Sequence, residues 1–305
     1  MIDLQGIFAP ATTPFDPVTG EVDVVSMRRN VRSWLEAPLS GLVLFGSTGE
    51  GLLLDEEERV RLLAATREVM EERLLLAGTG AESTRAAIRL SRAAAEGGAD
   101  AVLVHPPSYY RPAMTAEALR DHFTAVADAS PVPVVLYQVP PQYNGVEVHS
   151  GLLGELSRHP NIAGIKDSTG DLKTLAAFVD ACGKRCAALV GSGAALFGAL
   201  EVGAKGGILA LALLAPRECA EIYRRWTGED PAGAGRLQER LAPVHRTIVG
   251  KMGVAGVKAA LDLLGMAGGA PRSPLKPLRE KEHAVIRETL TAAGLLEGRH
   301  ALPRR

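Results

Sequence analysis

The chain has 305 residues, and its 34 Lys and Arg side chains nearly balance its 35 Asp and Glu side chains, so the formal net charge is −1. Apart from a short basic end at Arg304 and Arg305, no basic block is present, which argues against a nucleic-acid or membrane-surface partner. The longest apolar run, Gly206–Ala215, is about half the length of a membrane span, and the first residues do not resemble a signal peptide. These features predict a soluble intracellular protein.

The three cysteines, Cys182, Cys186 and Cys219, are an odd and small number. A secreted domain held together by disulfides usually carries more cysteines and an even number of them. The count therefore argues for a reducing cytoplasm rather than a disulfide framework. The spacing Cys182-x3-Cys186 lacks further cysteine or histidine partners, and the histidines are scattered singly, so no metal site is expected.

Eight short apolar segments recur along the chain, roughly every 25 to 35 residues, with helical patterns between them. We predict strands at Ile7–Thr13, Gly41–Gly46, Leu74–Thr79, Ala101–His105, Val132–Val139, Ile162–Lys166, Ala187–Gly191 and Gly207–Leu211. One helix start is marked by Asp55 with Glu58 three residues later, which is a capping-box pattern. A parallel sheet requires such alternation, and eight units are typical of a (β/α)8 barrel of about 250 residues, whereas open sheets carry about six strands.

Three further helical patterns follow the eighth unit, at Ala232–Val249, Val254–Leu264 and Pro277–Ala293. Glycine- and proline-rich breaks separate them, and no long linker or low-complexity segment divides the chain. We therefore predict an α/β protein with a (β/α)8 TIM barrel over residues 1–229 and a C-terminal three-helix extension over residues 230–305, packed on the barrel.

Lys166 ends the sixth predicted strand, where an ammonium group is costly to bury. Burial favours the neutral amine, which is a nucleophile that can attack a ketone and form a Schiff base. Considered alone, a single lysine in a strand more often extends its charged end to the surface or pairs with a neighbour such as Asp167. The functional interpretation requires other reactive residues at the same edge of the barrel.

Other strands do end in suitable residues, because functional side chains of such barrels lie at the carboxyl ends of the strands. Tyr137 ends the fifth strand, one strand from Lys166 and thus about 4.8 Å away across the sheet. Ser47 and Thr48 lie in a glycine-rich loop after the second strand, and this loop lacks the Lys-Ser/Thr of a nucleotide-binding loop. Tyr109 follows the fourth strand. Together, these residues favour a Schiff-base aldolase or lyase.

The same residues resemble the dihydrodipicolinate synthase and N-acetylneuraminate lyase superfamily of class I lyases. The markers are Gly-Ser-Thr-Gly-Glu at 46–50, Tyr137 followed by x-Val-Pro, and Gly-Ile-Lys-Asp-Ser at 164–168. The resemblance covers nearly the whole chain and implies a TIM barrel with a helical extension, usually a homotetramer. It also implies that no metal or organic cofactor is needed, because the lysine itself serves as the electron sink.

The resemblance implies a role for each site residue. Lys166 would form the Schiff base with pyruvate or another 2-oxo acid, and Tyr137 would move protons. Ser47 would link Tyr137 to Tyr109, and in several members this second tyrosine reaches across a subunit interface into the site of a neighbouring copy. The substrate-binding residues would be Thr48, Ser168, Gly191, Ile208 and Gln142. Gln142 lies close in the sequence to the position where dihydrodipicolinate synthases carry an arginine that contacts the carboxylate of the second substrate. No arginine occurs between Gln138 and Glu155 here, which places the synthase activity in doubt.

The leading hypothesis is cleavage of a 4-hydroxy-2-oxo acid, as in 4-hydroxy-2-oxoglutarate aldolases, to pyruvate and an aldehyde such as glyoxylate. Two alternatives share the chemistry: condensation of pyruvate with aspartate semialdehyde, and a sugar-acid lyase of the N-acetylneuraminate lyase type. An alternative of another class is a non-catalytic protein that binds a 2-oxo acid. A homo-oligomer, either a dimer or a tetramer, is expected in the cytoplasm.

Overall fold

Eight parallel strands close into a barrel in the computed structural model of the chain, which describes residues 2–70 and 72–296. Each strand pairs with the next one along the chain, and β1 pairs with β8 to close the ring. The strands are β1 (Gly6–Pro10), β2 (Gly41–Leu44), β3 (Leu74–Gly78), β4 (Ala101–Val104), β5 (Val134–Gln138), β6 (Ile162–Asp167), β7 (Ala187–Val190) and β8 (Gly206–Ile208). The predicted (β/α)8 barrel is thereby confirmed.

Helices follow the strands along the chain and continue beyond the last one. In chain order they are α1 (Val24–Leu35), α2 (Glu56–Arg67), α3 (Thr84–Glu96), α4 (Ala116–Ala129), α5 (Pro141–Asn144), α6 (Ser150–Leu156), α7 (Leu172–Cys182), α8 (Leu196–Glu201), α9 (Leu211–Leu214), α10 (Pro216–Thr227), α11 (Pro231–Val244), α12 (Met252–Leu263) and α13 (Glu280–Ala292). The predicted capping box at α2 is present, since the Asp55 carboxylate accepts from Glu58 N–H and the Glu58 carboxylate accepts from Asp55 N–H.

The core has two layers, because successive side chains of a strand point to opposite faces of the sheet. One set of alternating residues fills the barrel interior and includes Phe8, Val43, Leu76, Val135 and Ile208. The other set packs between the strands and the helices. Both faces of each strand are therefore apolar, which explains why the strands appear in the sequence as continuous apolar runs.

The C-terminal three-helix extension is confirmed, with one difference in its first helix. The sequence pattern predicted a single helix over Ala232–Val249, whereas α11 ends at Val244 and a π-helical segment, His245–Lys251, follows it. Pro243 lies at this junction and has no N–H for the regular i to i−4 bond. The predicted boundary between residues 229 and 230 stays a prediction, and residues 297–305, including Arg304 and Arg305, lie outside the described residues.

Two smaller expectations are corrected. The eighth strand was predicted over Gly207–Leu211 but ends at Ile208, because the backbone then turns and Leu211 begins α9. No disulfide framework was expected, yet Cys182 and Cys186 form a disulfide with a Cα–Cα distance of 5.0 Å, while Cys219 is a buried free thiol. Four residues of separation at the end of α7 bring the two cysteines together, which the cysteine count alone could not indicate.

Within residues 2–70 and 72–296, no helix is long and apolar enough to cross a membrane.

Candidate active site

Lys166 and Tyr137 lie side by side in the barrel interior. Strands β5 and β6 pair in a register that places Tyr137 directly opposite Lys166. The Lys166 Nζ lies 4.4 Å from the centroid of the Tyr137 ring, and both side chains are only 6% exposed. The predicted pairing of an amine with a phenol at neighbouring strand ends is therefore present, and the amine is held in a largely dry environment.

The Tyr137 hydroxyl is the centre of a small hydrogen-bond network that includes Ser168, Ser47 and Lys166. Burial by itself would raise the pKa of Tyr137, but the nearby Lys166 charge and these hydrogen bonds outweigh burial and hold the pKa below its usual value. A phenol with a lowered pKa gives up a proton more readily than an ordinary tyrosine. Tyr137 is thus suited to proton transfer beside the lysine.

A cavity of about 270 Å³ opens above this pair, and eight of the nine predicted site residues line it. These eight are Ser47, Thr48, Tyr137, Gln142, Lys166, Ser168, Gly191 and Ile208. They come from the loop after β2, from β5 and α5, from β6 and the residue after it, from the residue after β7, and from β8. The carboxyl ends of the strands meet at one edge of the barrel, so residues that are far apart in the sequence converge there.

Gly191 allows Ser168 to reach the network. The Gly191 N–H donates to the Asp167 carbonyl oxygen at 2.6 Å, so the two loops run close together. A Cβ atom at residue 191 would lie 1.9 Å from the Ser168 Oγ and 2.8 Å from its Cβ. Since real atoms cannot approach so closely, only glycine at this position leaves Ser168 where it bonds to Tyr137.

The loop that carries Ser47 and Thr48 is bounded by two non-glycine residues in the left-handed region, Phe45 with φ 58° and Glu50 with φ 56°. Such conformations cost about 1–3 kcal/mol each and persist only where surrounding contacts impose them. One such contact is the Thr13 hydroxyl, which donates to the Gly49 carbonyl at 2.7 Å. The loop is therefore held in a single shape by the rest of the fold.

A buried ion pair fastens the same loop to α12. The Lys258 Nζ lies 2.5 Å from a Glu50 carboxylate oxygen, and both side chains are fully buried. The Arg272 backbone N–H donates to the other Glu50 oxygen at 2.6 Å, and Lys258 also donates to the Ala270 carbonyl at 2.9 Å. Because Val254 and Val257 of α12 line the cavity, the pair connects two of its walls.

Removing one member of this pair is expected to destabilise the protein strongly. In Lys258→Met, the Glu50 carboxylate stays buried without its partner, which costs about 3–5 kcal/mol of unfolding free energy. The double variant Glu50→Gln, Lys258→Met should recover part of the loss, since no unpaired charge remains. Urea unfolding measures both. The control is Arg61→Met, which breaks the exposed Arg61–Glu21 pair and should cost about 0–1 kcal/mol; equal losses in Lys258→Met and Arg61→Met would contradict the expectation.

Tyr109 is the one predicted site residue that does not line the cavity. Its side chain is 80% exposed and packs edge-on against Tyr110, with ring centroids 5.1 Å apart. The backbone of its loop is fixed by Glu82, whose carboxylate accepts hydrogen bonds from the Ser108 and Tyr109 N–H groups at 2.9 and 2.8 Å. The Tyr109 backbone is thus held by Glu82, while its phenol is exposed and does not contribute to the cavity wall.

Sequence reasoning did not identify several residues of the cavity wall, of which His245 is the most polar. His245 begins the π-helical segment, and its Nε2 lies 3.3 Å from the Ser192 Oγ. No local pattern marks a histidine in the extension as a barrel-site residue, so only the packing of the extension reveals it. Among the residues that the structure describes, no cluster of His, Cys, Asp and Glu could hold a metal ion.

A larger groove of about 570 Å³ lies between α10 and α11, but no lysine is among the described residues that line it, so it offers no amine for a Schiff base. It is lined by Arg217, Glu218, Glu221, Arg225, Gly233, Arg236, Leu237 and Arg240. The chemistry therefore points to the smaller cavity in the barrel mouth.

Comparison with known proteins agrees with this geometry. The family model described as the dihydrodipicolinate synthetase family matches residues 3–293. A 4-hydroxy-tetrahydrodipicolinate synthase of Acidiphilium cryptum is 36% identical, over 91% of this chain and 94% of the relative. An L-threo-3-deoxy-hexylosonate aldolase of Hypocrea jecorina is 33% identical, over 96% of each. The chain belongs to the dihydrodipicolinate synthetase family.

Solved structures support the same assignment. The dihydrodipicolinate synthase of Acinetobacter baumannii, in complex with pyruvate, superposes with a TM-score of 0.91 at 33% identity, covering 96% of this chain and all of that one. A prophage protein of the same family from E. coli K12, also in complex with pyruvate, gives a TM-score of 0.90 at 27% identity, with the same coverage. The chain is thus an enzyme, a class I pyruvate-dependent lyase or synthase.

Filling the space at Gly191 is expected to impair this enzyme without unfolding it. The Gly191→Ala methyl would displace Ser168 and so disturb the hydroxyl network around Tyr137, and we expect kcat/KM to fall by about tenfold or more. Steady-state kinetics and a thermal melt measure the two effects. Gly151→Ala is the control, because a Cβ there meets nothing within 4 Å. Full activity in Gly191→Ala would contradict the role given to the close approach.

Proposed function

We propose that Lys166 forms a Schiff base with the C2 carbonyl of pyruvate or a related 2-oxo acid. The observation that carries this proposal is the buried Lys166 amine beside the Tyr137 phenol at the base of the cavity. The amine attacks C2, and water leaves as the iminium forms. Loss of a proton from C3 then gives an enamine, whose electrons can attack an aldehyde; the reverse sequence cleaves a 4-hydroxy-2-oxo acid.

In this proposal, Tyr137 carries protons to and from the reacting oxygen atoms, and Ser47 connects Tyr137 to the loop after β2. Thr48 and Ser168 hold the carboxylate and oxo groups of the bound acid, while Gly191 and Ile208 complete the wall. Hydroxyl groups that already line the cavity need little reorganisation during the reaction, which is how such sites lower a barrier.

Reduction with borohydride in the presence of pyruvate tests the Schiff base. The reductant converts the iminium into a stable secondary amine, so peptide mass spectrometry should find pyruvate-derived mass on Lys166. Borohydride without pyruvate is the control. An unmodified Lys166 after reduction with saturating pyruvate would contradict the proposal, whatever aldehyde the enzyme accepts.

Two candidates for the full reaction are each favoured by an observation. The name of the Acidiphilium relative favours condensation with aspartate semialdehyde, and so supports the synthase alternative more than cleavage of 4-hydroxy-2-oxoglutarate. The name of the Hypocrea relative favours an aldolase that acts on a deoxy sugar acid, which is close to the sugar-acid lyase alternative. Assays with pyruvate and each aldehyde separate them, since the carbon–carbon bond formed differs.

We further propose that the enzyme is a homo-oligomer in which the loops after β2 and β4 meet a second copy. Leu52 is 76% exposed on the first loop, and Tyr109 and Tyr110 are 80% and 69% exposed on the second. Large apolar side chains left this exposed are typical of interaction surfaces. Sedimentation should therefore give the mass of a dimer or tetramer, and Leu52→Asp should shift it towards the monomer. A monomeric wild-type enzyme would refute the proposal.

A further inference from the structure

Asp167 is a buried acid next to Lys166 that lies outside the cavity. Successive side chains of a strand point to opposite faces, and Asp167 is not among the described residues that line the cavity. Its side chain is only 1% exposed. Burial raises the pKa of Asp167, nearby Asp171 adds to the effect, and two hydrogen bonds from Thr169 offset only part of it. Ionisation of this carboxyl therefore disfavours the folded state, so its charge does not serve stability.

The Asp167 carboxylate holds the turn that follows β6. Its Oδ1 accepts from the Thr169 N–H at 2.9 Å, and its Oδ2 accepts from the Thr169 hydroxyl at 3.0 Å. A side-chain oxygen that binds the backbone two residues later closes a turn around the residue between them, which here is Ser168. The Thr169 hydroxyl also accepts from the Asp171 N–H at 3.3 Å, so the turn is fastened to the start of α7.

The backbone on either side of this turn is held by the two neighbouring strands. The Ser168 N–H donates to the Gln138 carbonyl of β5 at 3.0 Å, and the Asp167 carbonyl accepts from the Gly191 N–H just after β7. Gly191 also lies against the Ser168 side chain. With these contacts in place, the path of the chain after Ser168 decides where the Ser168 hydroxyl lies, and the Asp167 carboxylate fixes that path.

We propose that Asp167 is a positioning residue, which keeps the Ser168 hydroxyl on the Tyr137 phenol through the turn at 167–169. The inference rests on the proposed roles of Lys166 and Tyr137. As the iminium forms, the leaving hydroxyl takes a proton from the phenol and departs as water, and the Ser168 hydroxyl donates a hydrogen bond to the phenolate that remains. If the turn opens, that bond is lost. The phenolate is then less favoured, so the pKa of Tyr137 rises and proton donation slows.

Asp167→Ala tests the proposal in the full-length enzyme. The rate at which borohydride-trapped pyruvate appears is measured against pH, so no aldehyde is needed. We expect the rate at neutral pH to fall by about tenfold, with its alkaline limb moved to higher pH and the final yield of adduct unchanged. Asp167→Val, which fills the space of the carboxyl with apolar carbon, gives the same readouts if a thermal melt shows Asp167→Ala to be unstable. An unchanged rate and limb in either folded variant would overturn the proposal.

Two further variants show whether Asp167 acts through Ser168. Ser168→Ala should move the alkaline limb in the same direction, and Asp167→Ala combined with Ser168→Ala should move it no further, because both remove the same hydrogen bond. Asp167→Asn keeps an oxygen that accepts from the Thr169 N–H, so its rate should stay within about threefold of the wild type. An additional shift in the double variant, or a loss in Asp167→Asn as large as in Asp167→Ala, would contradict the proposed role.

Asp16→Ala is the matched control, because the Asp16 carboxylate closes a similar turn away from the cavity. It accepts from the Val18 and Thr19 N–H groups at 2.9 and 2.7 Å. The rate and the alkaline limb should stay as in the wild type. An equal shift in Asp16→Ala would overturn the proposal, since a general loosening of turns would explain both variants. Absence of trapped pyruvate in the wild-type enzyme would instead show that the Schiff base fails, and the inference with it.

Discussion

Lys166→Met is expected to abolish turnover, with kcat falling by on the order of 10⁴ or more. The methionine side chain has nearly the same length, so the barrel interior keeps its packing, but the proposed nucleophile is gone. Without the amine, no iminium forms and the electrons of the breaking or forming carbon–carbon bond have no acceptor. Steady-state kinetics and borohydride reduction with pyruvate measure the two losses together.

The control for this variant is Lys173→Met, at an exposed lysine of α7 on the chain segment that follows the site. It should retain full activity and the trapped adduct at Lys166. If Lys166→Met still yielded a borohydride-trapped pyruvate adduct and turned over at a comparable rate, another amine would have to be the nucleophile. The buried Lys258 is held by Glu50 and the Ala270 carbonyl, so it is not available for that role.

Tyr137→Phe is expected to lower kcat by about 10²–10³ while pyruvate is still trapped on Lys166. The phenyl ring preserves the packing over the lysine, and only the hydroxyl that links Ser47, Ser168 and Lys166 is lost. The defect should therefore appear in the rate of proton transfer more than in the binding of pyruvate. Pre-steady-state trapping resolves the rate of adduct formation from its final yield.

The pH dependence gives a second test of Tyr137. In the proposed mechanism the protonated phenol acts as an acid, so activity should decline as the pH rises through the Tyr137 pKa. Because that pKa lies below the usual value, the decline should begin at a lower pH than an ordinary tyrosine would give. Tyr137→Phe should lose this alkaline limb, and Tyr223→Phe, on α10, should keep it. An identical alkaline limb in Tyr137→Phe would assign it to another group.

The strand pattern and the reactive pair were predictable because their signals are local. A strand buried on both faces appears as a short apolar run, and a lysine or tyrosine at its end is visible without knowing the partners. Eight such runs then determine which strands are neighbours, since a closed (β/α)8 barrel pairs each strand with the next one. The sequence alone therefore predicts that Tyr137 and Lys166 lie side by side.

The support of the site could not be predicted in this way. Glu50 and Lys258 are 208 residues apart, and nothing in a helix sequence distinguishes a buried lysine from a surface lysine until the helix is packed. The same holds for His245, which a π-helical segment brings to the cavity from the C-terminal extension. The local pattern places Lys166 and Tyr137. The packing of distant elements places the charges and hydroxyls around them, because burial and electrostatic pairing depend on what lies nearby in space and not along the chain.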